Sequence, residues 1–84
     1  MNVIWVSGIT GTTIASTRED AIELAGKIDT DTHINFSDIK FMSGAFADEL
    51  INRLPTEQID QIITSAPVHI SKLFQAVRNR RVAA

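Results

Sequence analysis

Apolar positions along the chain change period several times, and each change marks an element. Val3, Ile4, Trp5 and Val6 form an unbroken β-branched and aromatic run closed by Ser7-Gly8, the pattern of a strand entering a turn. Thr12-Thr13-Ile14, after Gly11, is a second extended piece, and two such runs about a glycine-containing turn predict a hairpin. Ser16-Thr17-Arg18-Glu19 then matches a capping box, in which the Ser16 hydroxyl and the Glu19 carboxylate each accept from the other's backbone amide. The helix it opens carries Ala21, Leu24, Ala25 and Ile28 on one face at i, i+3, i+4, i+7, with Glu23 and Lys27 paired outside it. Asp29-Thr30-Asp31 ends it.

Ile34 and Phe36 alternate with Asn35 and Ser37, the period of a strand. Ile39 and Phe41 have the opposite parity, so the strand ends near Ser37 and a connecting loop carries those two side chains back towards the core. From Ser43, the expected N-cap, the period turns helical: Phe46, Ala47, Leu50, Ile51 and Leu54 share a face, and Pro55 stops the run. Ile59, Ile62 and Ile63 are β-branched and bounded by Ser65-Ala66-Pro67, which predicts another strand. Pro67 suits the first position of a last helix, whose core face is Ile70, Leu73, Phe74 and Val77 and whose final turn carries Arg78, Arg80 and Arg81. The predicted order is β-β-α-β-α-β-α. An α/β sandwich follows, a small mixed sheet of about four strands covered by about three helices in one domain spanning residues 1–84.

Composition narrows the chemistry. A chain of 84 residues buries only about 60% of the surface its unfolded form exposes, so its stability is modest. With no cysteine there is neither a disulfide nor a thiolate metal site, and a cysteine nucleophile is excluded. No apolar stretch approaches the roughly 20 residues that span a bilayer, and the Val3–Val6 run lacks the flanks of a signal peptide. A soluble, cytoplasmic protein is the expectation, with no membrane partner. The net charge of −2 disfavours a general nucleic-acid binder, although four of the eight basic residues fall between Lys72 and Arg81.

The stretch Asn35 to Leu50, NFSDIKFMSGAFADEL, resembles the central motif of the STAS superfamily, in which a strand leads through a loop to a helix. Within it Phe46-Ala47-Asp48-Glu49-Leu50 is similar to the signature of the STAS-like domains grouped as a family of unknown function (DUF4325). Those domains also tend to carry Ser-Arg-x-x-Ala at the start of the preceding helix, matched here by Ser16, Arg18 and Ala21 with Thr17 inserted. The resemblance implies a STAS-like sandwich and a switch-like binding module of bacterial or phage origin, often associated with a histidine-kinase-like ATPase. In anti-sigma factor antagonists of this superfamily a hydroxyl in the loop before the helix is phosphorylated. Aligning Phe41-Met42 with the usual Phe-Met places Ser43 at the aspartate of that segment, Gly44 at its first serine and Ala45 at the phosphorylated position. Ser43 is the nearby hydroxyl left for such a switch.

The surface predicted to meet a protein partner is therefore Asp38, Lys40, Ser43, Gly44, Asp48 and Glu49, that is, the loop 38–43 and the first turns of the next helix. Carboxylates near a helix start also complement its dipole, a purely structural reason for Asp48 and Glu49. Two other readings compete. Gly8-Ile9-Thr10-Gly11-Thr12-Thr13 is a glycine-rich loop after a strand, suited to a nucleotide phosphate or to an enzyme's ligand, yet it lacks the Gly-Lys-Ser/Thr of a P-loop. Lys72, Arg78, Arg80 and Arg81 form a basic end suited to nucleic acid, or simply a capped helix C-terminus. His33 and His69 have no metal-ligand spacing, and no Gly-x-Ser-x-Gly elbow is present, so neither a cofactor, a metal nor a catalytic group is predicted. The expected assembly is a monomer or homodimer.

Overall fold

A computed structural model describes the backbone of residues 2–83 and the side chains of residues 2–80. The side chain of Arg81, one of the predicted basic cluster, lies outside the described residues. The chain runs β1 (Asn2–Trp5), α1 (Val6–Thr10), β2 (Ile14–Ala15), α2 (Arg18–Gly26), β3 (Thr32–Asn35), β4 (Phe41–Met42), α3 (Gly44–Arg53), α4 (Thr56–Ser65) and α5 (Val68–Ala83). It is a mixed α/β fold of five helices and two small parallel sheets, rather than one mixed sheet under about three helices.

The predicted hairpin does not form. β1 pairs in parallel with β3, from Asn2 beside Thr32 to Trp5 beside Asn35, and β2 pairs in parallel with β4, Ile14 beside Phe41 and Ala15 beside Met42. Parallel neighbours need a long crossover, and α2 supplies it for both sheets. Gly11 explains the misreading. Instead of turning a hairpin it ends the short helix α1 in the left-handed region at φ +73°, its amide donating to the Ser7 carbonyl at 2.9 Å.

The Ile59–Ile63 run is helix α4, not a strand. Isoleucines at 59, 62 and 63 share a helical face as readily as they suit a sheet, and Ile59 and Ile62 are buried by it. Pro55 opens this helix as its N-cap at φ −62°, its carbonyl accepting from Gln58 and Ile59. The start of α2 also shifts by one residue. Thr17, not Ser16, is the N-cap and accepts from the Asp20 amide, while the Ser16 carbonyl is engaged by Ser43.

Alternation along the parallel strands decides which side chains face the core. In the β2–β4 pair Ala15 and Met42 point inward and are buried, whereas Ile14 and Phe41 point outward. Phe41 therefore does not return to the core as its parity suggested. Ile39 does, at 2% exposure. Helices α2 and α3 pack against each other, and Ala21 and Leu24 of the first and Phe46, Ala47 and Leu50 of the second are fully buried. Helix α5 closes the other side with Ile70, Phe74 and Val77, and the Phe74 ring meets Phe36 edge to face at 5.7 Å. No described helix is long and apolar enough to cross a membrane.

Candidate functional site

The segment from Asp38 to Ser43 is laced to the chain beside it. The amides of Lys40 and Phe41 both donate to the Thr13 carbonyl, at 2.8 and 3.4 Å, and the Ser43 amide donates to the Ala15 carbonyl at 2.9 Å. The Ile39 amide donates to Phe36 and its side chain is anchored in the core. Asp38 accepts from the Ser7 hydroxyl through Oδ2, and Oδ1 is buried without a partner among the described residues. Asp38 thus faces α1. Lys40 and Phe41 face out, Phe41 at 55% exposure directly beside Ile14 at 47%.

Ser43 behaves as the predicted N-cap of α3. Its Oγ accepts from the Phe46 amide at 3.1 Å and donates to the Ser16 carbonyl at 2.8 Å, so one hydroxyl both starts α3 and ties it to the residue before α2. Gly44, the first residue of α3, is exposed.

Asp48 and Glu49 are not an open acidic pair. The Arg18 guanidinium donates to Asp48 Oδ2 at 3.2 Å and to Glu49 Oε1 at 3.3 Å, and Arg53 donates to Glu49 Oε2 at 2.7 Å. Glu49 retains only 14% side-chain exposure. Arg53, and secondly Arg18, hold its carboxyl below the usual range, while Asp48 and Glu49 raise Arg18 further above its own. The Arg18–Ala21 and Phe46–Leu50 motifs therefore meet in space: α2 packs on α3, and the Arg18 guanidinium bridges the two helices. Sequence reasoning named the motifs separately but had no means of joining them, because the residues are 30 positions apart.

The glycine-rich segment after β1 uses its own donors. The Gly11 amide goes to Ser7, the Thr12 amide to the Thr10 hydroxyl at 3.3 Å and the Ile14 amide to the Thr12 hydroxyl at 3.0 Å, leaving these three unavailable to a phosphate. At the basic end, Arg78 is paired with Asp60 at 2.6 Å, while Lys72 and Arg80 are exposed. A cavity of about 240 Å³ is lined by Thr30, Asp31, Thr32, His33 and Gln61, among which Gln61 Nε2 lies 3.1 Å from His33 Nδ1. None of the predicted site residues lines it. His69 stands elsewhere, its Nε2 3.3 Å from the Ile39 carbonyl.

No family model, curated protein or solved structure matches this chain.

Proposed function

We propose that the protein is a non-catalytic regulatory module of the STAS-like kind that docks on another protein through the Asp38–Ser43 segment and the start of α3. The observation that carries this reading is the exposed Phe41. A phenylalanine at 55% exposure, side by side with Ile14 and next to Lys40, sits on a backbone held through the amides of Ile39, Lys40, Phe41 and Ser43 and flanked by the Asp38 side chain bonded to Ser7. An aromatic anchor held on a rigid backbone with a charged rim is the composition of a binding hot spot, since little ordering entropy is lost when it docks.

Within this reading the residues divide by role. Lys40, Phe41 and Ile14 meet the partner. Asp38, Ser43, Asp48 and Glu49 hold the surface in shape, and Gly44 leaves room at its edge. A histidine-kinase-like ATPase is the first partner to try, because the motifs resemble those of domains that work with one. The internal use of the Gly11, Thr12 and Ile14 amides supports this reading over the nucleotide-binding one, and the Arg78–Asp60 pair supports it over the nucleic-acid one.

A photo-reactive phenylalanine analogue placed at position 41 should crosslink a protein in native-host extract that the same analogue at Gln75, an exposed position of α5, does not. Calorimetric titration of that protein should then show Phe41→Ala weakening binding at least tenfold, about 1.4 kcal/mol, with the circular dichroism spectrum unchanged. Equal affinity in the folded variant would remove the site from this surface.

A further inference from the structure

From the free edge of β1 we infer a homodimerisation surface, in which β1 of one copy pairs antiparallel with β1 of a second copy. Among the described residues β1 has a strand on one side only. Edge strands are ordinarily protected by charge, proline or a bulge. Asn2, Val3, Ile4 and Trp5 include none of these, and Val3 and Trp5 are each 50% exposed.

The alternation of the ladder shows which groups are on offer. The Asn2 amide donates to the Asp31 carbonyl, so Asn2 and Ile4 direct their backbone groups towards β3, while the Val3 amide and carbonyl and the Trp5 amide face the open edge, the Trp5 carbonyl serving α1 as its N-cap. The side chains follow the same parity, with Val3 and Trp5 on the outward face and Ile4 packed against the core. A twofold axis normal to the sheet keeps that face common to both copies. It permits the register that places Ile4 opposite its own symmetry mate and Val3 opposite Trp5 of the second copy. In this register the Trp5 amide meets the second copy's Val3 carbonyl, twice by symmetry, and two valine–tryptophan pairs form across the strands, a favourable cross-strand combination. The same strand thus provides donor, acceptor, apolar knob and apolar partner.

Charge agrees with a second copy as the occupant. No Asp, Glu, Lys or Arg lies in β1 or in β3 beside it, so the surface meets itself without like-charge repulsion. Area sets the strength. Four residues extend about 13 Å, and such a contact falls below the roughly 800 Å² per partner of a standard interface, so association follows concentration.

The full chain is to be studied by sedimentation equilibrium from about 1 μM to about 1 mM, a range that brackets such affinities. Emission of Trp5, the only tryptophan, is to be recorded alongside. Mass should rise from the monomer's 9.2 kDa towards twice that value with a blue shift in emission. Val3→Lys, at a half-exposed position, should abolish both while preserving the melting curve. A monomer throughout, or a dimer that survives Val3→Lys with unchanged emission, would overturn the inference. A monomer whose emission shifts only when a foreign protein is added would also overturn it and assign the edge to that protein's strand. Phe41→Ala serves as the separating control, because it should leave the mass unchanged.

Discussion

Replacing Ser43 by alanine tests whether one hydroxyl organises the start of α3. Its bond to the Phe46 amide is an N-cap, worth about 1 kcal/mol within a range of about 0.5–2. Its bond to the Ser16 carbonyl is exposed and replaceable by water, adding about 0.5 kcal/mol. The expected loss is therefore about 1.5 kcal/mol, and for a domain of this size each kcal/mol shifts Tm by roughly 4–8 °C. Because Phe46 and Ala47 are both fully buried in the first turns of α3, fraying at the cap withdraws core contacts as well. Urea titration with a second melt by circular dichroism reads the change. Ser43→Asp separates the two bonds: a carboxylate still accepts from the Phe46 amide and complements the helix dipole, but it cannot donate to Ser16. It should fall between wild type and alanine. Esterifying Ser43 with phosphate removes the same donor, so any switch at this residue would act by releasing α3 from Ser16. A Ser43→Ala change within about 0.5 kcal/mol of wild type, the range of ordinary surface substitutions, would refute the reasoning.

Leu50→Ala, at a fully buried position of α3, should cost about 2–5 kcal/mol in denaturant titration, and a loss below about 1 kcal/mol would contradict its place in the core. A double-mutant cycle with Arg18→Met and Glu49→Gln should show a small favourable coupling, as for other solvent-accessible ion pairs, and additivity would dissolve the bridge between α2 and α3. Glu49 is held low by Arg53 and then Arg18, and Asp29 by the Thr32 hydroxyl and then the Asp31 amide. Both folded values lie below the unfolded ones, so their stabilisation is complete above the ordinary carboxylate range and is lost as pH falls through the folded values. Tm should hold steady from neutral pH down to about pH 5 and decline below about pH 4. Glu49→Gln should flatten part of that decline, and a Tm rising on acidification would reverse the sign.

Elements whose signals are local and redundant were legible along the chain. Helix α3 had a serine cap, an unbroken apolar stripe and a terminating proline, and it forms over Gly44–Arg53 with Phe46, Ala47 and Leu50 buried as expected. Helices α2 and α5 and strand β3 followed from the same kind of period. Packing between elements distant along the chain settled the rest. Isoleucines at 59, 62 and 63 fit a strand and a helix equally well, and packing against α5 and β3 settled them as helix. Gly11 fits a hairpin turn and a helix C-cap alike, since both need φ > 0, and the long crossover through α2 left β1 and β2 to pair with β3 and β4 instead of with each other. The candidate site shows the same division. Lys40, Ser43 and the carboxylates were legible as polar groups around a loop. That Phe41 points outward beside Ile14, and that Arg18 closes on Asp48 and Glu49, depends on strand register and helix approach, which arise between residues about 30 positions apart and leave no trace in any local period.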